Sequence, residues 1–553
     1  MSAFHFSPRP NRAAEINWRP WSREAFDVAN SLDRPIVLSI SAVWCHWCHV
    51  MDETTYSNPG VIDIINRDYV AIRVDNDERP DINQRYNMGG WPTTAFLTPR
   101  GDILTGATYL PPDQMADALV KVHRVYRDNK PEIIGRVLEA KKRAGSATSA
   151  ARGVLDSGLV NWVLQAVEGA YDPAHGGFGS APKFPQVDAI LLLAEQSVLR
   201  DREDLMRMAR HTLEQMASGG TYDHVEGGFF RYSTTQDWSV PHFEKMLEDH
   251  GGLVEALAIC KLPEVLDRTT GYLDRVLRDP ATGLFAGSQD ADEKYYALGA
   301  EEREKEQPPY VDRRVYSSWN CGLAIAYLRA DARLGRPRLR EHAAQALEAL
   351  FDARFDPEGG VTHVEGVSGQ LADQVCALLA AVRAYSAGLG DRWLERARSL
   401  ADHLEGAYAD PAEGGYFDHA AADGLGRLDE RLKPLTENAV AALGLFELDV
   451  VLADPSAPYR PRAERALESV AALPRHYGIM AAVFARALDR LQRPPVKVTT
   501  RNPELVRAAL EIHPYAVVEP QEESRAIVCI GTECLAPVKT SAELRDALRQ
   551  TVG

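Results

Sequence analysis

The sequence predicts a multidomain protein: an N-terminal α/β domain, then an all-α (α/α)6 toroid of six helical hairpins, then a small C-terminal α/β appendage. Three observations carry this. The chain has 553 residues, more than one hydrophobic core normally serves. A Cys-x-x-Cys stands directly after a run of β-favouring residues. One turn motif then recurs between amphipathic helices over some 340 residues. The expected boundaries are 1–130 for the first domain, 131–152 for a linker ("KKRAGSATSAAR" at its centre), 153–492 for the toroid and 493–553 for the appendage.

Composition excludes several classes. With 45% hydrophobic and 25% charged residues the chain is of ordinary globular type, and a net charge of -17 offers no attraction to nucleic acid or an anionic membrane. The polar, proline-broken "MSAFHFSPRPNRAAEINWRPW" has no apolar signal core, and no later stretch is long and apolar enough to span a bilayer. Seven scattered cysteines make no disulfide framework. A cytoplasmic protein is expected, with Cys260, Cys321 and Cys376 as packing residues of apolar helices.

In the first domain, Trp21–Ser31 reads as a short helix and "RPIVLSIS" (34–41) as a strand ending at "WCHWCH". Cys45 then falls at a helix N-terminus, where unpaired N–H groups favour a thiolate, and Cys48 lies one turn on, able to resolve a mixed disulfide. "YVAIRVD" (69–75) is a second strand, and "GGWPTTAFLTPRGDIL" (89–104) gives a strand, a turn and a strand. This order resembles the thioredoxin fold, and the likeness implies that Pro92 is its cis-proline, opposite Cys45, exposing backbone to a substrate peptide. Ser39 stands where thioredoxins bury an aspartate. His46 between the thiols would stabilise the thiolate and make the pair more oxidising. Three rival readings stay open: a Cys-x-x-Cys-His haem site, three ligands of a zinc site (Cys45, Cys48, His49), and a relic dithiol without turnover.

In the helical region the repeated motif is Asp-x-x-x-Gly-(Gly)-aromatic: "YDPAHGGFG" (171–179), "YDHVEGGFFRYS" (222–233), "RDPATGLFAGSQD" (278–290), "FDPEGGVTHVE" (355–365) and "ADPAEGGYFDH" (409–419). Twelve helices, centred near 162, 193, 209, 251, 270, 324, 345, 378, 399, 443, 465 and 482, place all five loops on one rim, each joining an outer helix to the next inner one. "DWSVPHFEKMLEDHGGL" (237–253) is expected to open an inner helix at Pro241, setting His242, Glu244, Lys245, Glu248 and Asp249 within two turns. "GSQDADE" adds Asp290 and Asp292, and "YSSWNCGLAIAY" adds Trp319 and Asn320. Carboxylates, an imidazole and aromatic rings around one bowl suit sugar chemistry. Helix caps and ion pairs, Lys245 with Asp249 among them, are the bland alternative.

The motifs "CHWCHVM", "VDNDERPDI", "GGWP", "GGFGSAPKFP", "WSVPHFEKML", "QDADE" and "SSWN", in this order, resemble the YyaL-type thioredoxin-domain family related to the spermatogenesis-associated protein. The resemblance covers nearly the whole chain. It implies a thioredoxin-like domain fused to a six-hairpin glycosidase-like domain, akin in fold to N-acylglucosamine and cellobiose epimerases. Carried over, it implies Cys45, Cys48, His242, Glu244, Asp290 and Asp292 as catalytic residues, and Pro92, Lys183, Asp223, Arg231, Tyr232, Lys245, Trp319 and Asn320 as substrate-binding. "PLTENA" departs from the family by keeping Asn438 without its serine, and Cys321 interrupts the usual Trp-Asn-Gly. No cofactor and no metal are expected. The expected partners are a carbohydrate or other small neutral ligand in the barrel and a thiol or disulfide protein. Hydrolysis by a carboxylate pair, epimerisation through His242, and a non-catalytic glycan- or protein-binding scaffold all remain open.

The last sixty residues alternate strand, helix, strand, strand and helix. Cys529 and Cys534 fall in the final strand and loop, as packing residues or a second redox pair.

Overall fold

The computed structural model describes residues 4–144, 151–420, 424–521 and 525–549. The chain forms two compact units, 1–150 with 421–432, and 151–420 with 433–553.

The first unit is thioredoxin-like. Strands β1 (Ile36–Ser41), β2 (Val70–Asp75), β3 (Thr93–Leu97) and β4 (Ile103–Ala107) form one sheet in the order β2-β1-β3-β4. β1 runs parallel to β2 and antiparallel to β3, which is antiparallel to β4. The sheet is buried on both faces, so β1 is buried at all six residues, Ser39 and Ser41 included, rather than at alternate ones. Helices α1 (Arg23–Leu32), α2 (His46–Glu53), α3 (Pro59–Asp68), α4 (Pro80–Tyr86) and α5 (Pro112–Asp128) belong to it, and α6 (Lys130–Ala144) occupies much of the expected linker. Residues 424–432, expected inside the toroid, belong to this unit instead. Leu428 is buried in the same core as Trp21 and Phe26, and the Tyr86 hydroxyl accepts from the Arg427 N–H at 2.7 Å.

The second unit begins with α7 (Gly158–Ala170), α8 (Val187–Leu199), α9 (Glu203–Ser218), α10 (Leu247–Ile259) and α11 (Pro263–Tyr272). Two short helices, α12 (Glu293–Tyr296) and α13 (Ala300–Arg303), precede α14 (Ser317–Leu334), α15 (Pro337–Arg354), α16 (Leu371–Ser386) and α17 (Arg392–His403). α18 (Leu435–Leu452), α19 (Tyr459–Glu468), the single turn α20 (Pro474–Tyr477) and α21 (Ala482–Gln492) complete it. Helices α8, α10, α14, α16, α18 and α21 pack in succession, and α21 returns to α8, closing a ring of six inner helices. Each inner helix also packs on an outer one, with α7 against α21 as the closing pair. Short links join inner to outer helices at the far rim. Long loops join outer to inner helices at the near rim, where the inner helices begin.

What fills the axis of this ring is charge. Deep in α8, α10 and α18 stand Glu195, Glu255 and Glu447, and facing them are Arg329 of α14, Arg383 of α16, and Arg486 and Arg490 of α21. Arg486 forks onto Glu195 at 2.9 and 3.0 Å, Arg490 bridges Glu195 (3.1 Å) and Glu447 (2.7 Å), and Arg383 forks onto Glu447 at 3.0 and 3.2 Å. Glu255 lies 3.4 Å from Arg329 and 3.9 Å from Arg383. These arginines hold Glu255 and Glu447 down at about 2 against the opposing effect of burial.

The C-terminal appendage packs on the far end of α14, α16 and α18. Short strands β5 (Tyr232–Ser233), β6 (Pro241–His242), β7 (Lys245–Met246), β8 (Ser288–Gln289), β9 (Val311–Asp312), β10 (Phe355–Asp356) and β11 (Gly360–Val361) lie in the toroid loops, and strands β12 (Val496–Thr499), β13 (Val517–Glu519), β14 (Ile527–Ile530) and β15 (Glu533–Cys534) form the sheet of the appendage, with helices α22 (Pro503–Ile512) and α23 (Ser541–Arg549). Its Tyr515 enters the charged axis, donating to Asp489 at 3.0 Å beneath Arg490. Cys529 and Cys534 lie opposite each other on β14 and β15 and are joined as a disulfide.

Glu447→Gln strands two buried guanidinium groups at once. It is expected to cost about 3–5 kcal/mol of stability, against less than about 1 kcal/mol for Asp267→Asn in the exposed pair with Arg336, as read from urea denaturation.

Candidate functional sites

At the dithiol, Cys45 is the N-cap of α2, and its sulfur accepts the Cys48 N–H at 3.2 Å. The two cysteines form a disulfide. The Trp91–Pro92 bond is cis, and because Thr93 pairs with Ile40, Pro92 lies at the end of the sheet from which Cys45 emerges. The surrounding rings are pinned by two residues to which the sequence assigns no role, Asp77 and Asn83. Trp44 meets Trp91 edge-on at 5.7 Å and donates to Asp77 at 2.7 Å, while Trp91 donates to Asn83 at 3.1 Å. Trp47 is exposed against Tyr109. Ser39 is buried, level with Arg73 on β2, whose guanidinium forks onto Asp52 of α2 at 2.9 Å to both oxygens. That carboxylate is committed to an ion pair and is no substitute for the missing acid. Burial pushes His49 down to about 4, so it is a neutral ring at neutral pH.

In the toroid, the recurring motif is a turn. Asp172, Asp223, Asp356 and Asp410 each accept two backbone N–H groups two and three residues on, and Asp279 accepts one. A buried lysine holds the other oxygen in three of them: Lys183 on Asp172 (2.8 Å), Lys245 on Asp223 (2.7 Å) and Lys433 on Asp410 (2.7 Å). Arg303 also forks onto Asp223. The glycines admit this packing: at Gly177, with φ +77°, a Cβ would stand 2.4 Å from the Trp238 ring.

The fourth residue of four inner helices then clamps the turn to the ring. His250 accepts the Phe229 N–H at 2.9 Å. Asn320, Gln374 and Asn438 take both the N–H and the C=O of Phe285, Val361 and Tyr416. These contacts correct several expectations. Lys183, with all three N–H groups donated to Asp172, Gly176 and Gln236, and likewise Asp223, Lys245 and Asn320, build the rim rather than bind across it. Asp292 is the exposed N-cap of α12, and Asp290 is buried at the end of β8 (Ser288–Gln289), accepting the Ala291 N–H. Lys245 pairs with Asp223, not Asp249. Pro241 opens no helix: β5 (Tyr232–Ser233) pairs with β6 (Pro241–His242), β7 (Lys245–Met246) pairs with β8, and α10 starts only at Leu247.

What these strands bring together is a half-buried group at the near rim. Tyr232 stacks on His242 at 4.6 Å, and Phe184 stacks on the other side of Tyr232 at 4.6 Å. His242 Nδ1 lies 3.2 Å from Glu244, which raises the histidine pKa. Glu244 Oε2 is buried without a hydrogen-bond partner. Arg231 is next in sequence to Tyr232, and its N–H donates to the Glu244 carbonyl.

The first turns of the inner helices continue the group inward. Glu248 is open to water yet enclosed by the protein, and burial raises its pKa against the pull of Arg231 and His363. Burial also pushes Asp249 up to about 7, opposed by Arg231 and helped by Glu248 and Glu244. Glu437, raised chiefly by burial, feels Glu248 from α18. Asp249, Trp319, Asp373 and Glu437 are the third residues of successive inner helices. Asp373 is taken by His363 at 3.0 Å, and Trp319 packs on Tyr316 at 4.4 Å. The sequence reading named Glu248 and Asp249 without a role and passed over Glu437. Their signal was an acid in the first turn of an otherwise apolar helix.

Asp249 carries a pH signature. The folded chain holds its proton to about pH 7, whereas the unfolded carboxyl loses it near 4. Stability therefore falls as pH rises between those values. Asp249→Asn is expected to flatten that slope, gaining stability over wild type at pH 8 but not at pH 4, by urea midpoints.

Fold and site together define a thioredoxin-like dithiol domain joined to a six-hairpin toroid. Residues 9–143 match the thioredoxin DsbH family, described as a protein of unknown function, DUF255. The chain is a homologue of spermatogenesis-associated protein 20: it is 27% identical to the human protein over 78% of this chain and 73% of that one. It is 33% identical to the rat protein over 50% of this chain, and there it spans only 39% of the relative's length. Among solved structures it is similar to a cellobiose 2-epimerase from Spirochaeta thermophila (TM-score 0.49, 18% identity, 61% of this chain and 94% of that one). It is also similar to a thioredoxin from Thermus thermophilus (TM-score 0.18, 24% identity, 20% of this chain and 87% of that one). Among the described residues no helix is long and apolar enough to cross a membrane.

Proposed function

We propose that the chain carries two chemistries: thiol–disulfide exchange at Cys45 and Cys48, and acid/base chemistry on a sugar in the toroid bowl. The observation that supports the second most is the convergence of His242, Glu244, Glu248 and Asp249, with the histidine and two of the acids shifted toward neutral pH, beside an aromatic stack. Groups titrating near neutrality give and take protons at the operating pH, and the Phe184–Tyr232–His242 column offers faces to a pyranose ring. Epimerisation is favoured over hydrolysis. His242, poised by Glu244, would remove a proton beside a sugar carbonyl, and Asp249, whose burial favours its protonated form, would return one. A hydrolytic pair was expected from among Glu244, Asp290 and Asp292; of these, Asp290 is buried at a strand end and Asp292 is used as a helix cap.

At the dithiol, the Cys45 thiolate attacks a client disulfide, releasing one client thiolate and forming a mixed disulfide. Cys48 then attacks the Cys45 sulfur, releasing the second thiolate and closing the Cys45–Cys48 disulfide, with two electrons passed to the client. The reverse sequence oxidises a client dithiol. His46 at the head of α2 favours that direction.

Two experiments test this. Cys45→Ser is expected to abolish disulfide exchange with a model peptide, and Cys48→Ser to accumulate mixed disulfide; exchange that survives Cys45→Ser rejects the redox reading. In a panel of aldoses and β-linked disaccharides in D2O, wild type is expected to place deuterium beside the carbonyl. His242→Ala should lower that rate by about 100-fold or more. Turnover unaffected by both His242→Ala and Glu244→Gln puts the chemistry elsewhere.

A further inference from the structure

The appendage holds a second disulfide that neither proposed chemistry uses. Cys529 of β14 and Cys534 of β15 stand opposite each other in antiparallel register and are bonded, whereas Cys260, Cys321 and Cys376 are free thiols. The bond sits at the open side of its sheet, which runs β13-β12-β14-β15. On one side, Val517 of β13 is buried in the toroid core. On the other, β15 is the last strand of the described sheet, and both its residues, Glu533 and Cys534, are exposed. Cys529, on the inner strand, is half-buried. A thiolate therefore reaches the pair from the edge, at the Cys534 sulfur, and Cys529 is the leaving group.

The register adds a place for the attacking chain. The Leu535 N–H donates to the Val528 carbonyl at 2.8 Å, so the adjacent Cys529–Cys534 pair is a non-hydrogen-bonded one. The N–H and C=O of Cys534 thus point away from β14, toward the sheet edge, where an extended segment can take them up as an added strand. A cysteine opposite Cys534 in that strand has its Cβ within about 5.5 Å, on the same face as the disulfide.

The hairpin does not depend on the bond. It turns at Gly531 and Thr532, with Gly531 at φ +57°. Ala526 and Val538 exchange both backbone hydrogen bonds, at 2.8 and 2.9 Å, and β14 pairs with β12 along its four residues. The ring closed by the disulfide is short, and short rings gain least from a cross-link.

We propose that Cys529–Cys534 is a second thiol–disulfide exchange site, whose co-reactant is a dithiol peptide segment bound as an extra strand on β15. One client thiolate attacks the Cys534 sulfur, the Cys529–Cys534 bond breaks, and Cys529 leaves as a thiolate. The client's second thiolate then attacks its own partner sulfur in the mixed disulfide, releasing Cys534 as a thiolate. The client ends as a disulfide and the hairpin as a dithiol, two electrons having passed to it. This exchange requires neither Cys45 nor the bowl.

The test uses the oxidised full chain carrying Cys45→Ser/Cys48→Ser, so that only the appendage disulfide reacts. It is mixed with a Val/Thr-rich pentapeptide bearing one central cysteine, with the same peptide carrying proline on both sides of that cysteine, and with glutathione. Adducts are trapped by acid, free thiols are alkylated, and both are mapped by mass spectrometry, while circular dichroism follows the fold. The peptide is expected on Cys534, with Cys529 alkylated. It should react about tenfold faster than glutathione at equal thiolate concentration, an advantage lost in the proline peptide, and full reduction should leave the circular dichroism unchanged. Equal rates for the three thiols overturn the added strand. An adduct chiefly on Cys529, or no exchange by the folded chain, overturns the site. Unfolding of the appendage on reduction also overturns it, because the bond is then structural.

Discussion

The second unit depends on how six helices share one axis. A ring of that size leaves a centre too wide for apolar side chains from one helix to span, and here it is bridged by guanidinium–carboxylate forks. Every buried charge in that layer has a partner of opposite sign, which is the condition for burying charge at all. The same condition fails a few turns nearer the rim. On α10, Glu248 and Asp249 are raised while Glu255 is depressed; on α18, Glu437 is raised while Glu447 is depressed. Six to ten residues separate these pairs, about 9–15 Å along a helix. One wall therefore carries locked anions below, where several arginines outweigh burial, and acids raised by burial above, where Arg231 only partly offsets it.

Above that layer, the hairpin turns decide where the loops start. Four of the five Asp-capped turns are fastened to the inner ring by the fourth residue of an inner helix, and the Asp172 turn is held by Thr212 of the outer helix α9. His250 shows how specific the fastening is: its Nε2 accepts from Phe229, so its proton sits on Nδ1 and goes to the Met246 carbonyl at 2.6 Å. Burial holds this ring down at about 4 and keeps it neutral. With the turn bases fixed, the long excursion between α9 and α10 can fold into strands and deliver Tyr232, His242 and Glu244 to one place. The residues that fix the rim and those that face the bowl are neighbours in sequence, which is why motif reading merged them.

The first unit solves a different problem with the same means. A thioredoxin-like core with serine in place of the buried acid still carries charge under its active-site helix, but as the closed Arg73–Asp52 pair.

The sequence by itself determined the parts: the strand before Cys45, twelve helices close to their observed centres, and five turns on one rim. These follow from local patterns, where periodicity, glycine and proline act within a few residues. The tertiary structure alone decided which polar residues are structural. Lys245 reaches back 22 residues to Asp223, Asn320 reaches 35 to Phe285, and Arg490 reaches 295 to Glu195. No spacing rule links such partners, because the loops between them differ in length at every repeat. The pKa of Asp249 likewise depends on its burial and on Arg231 from the loop before β5, and that of Glu255 on its burial and on arginines of other helices, so a carboxylate's charge becomes legible only when the ring has closed around it.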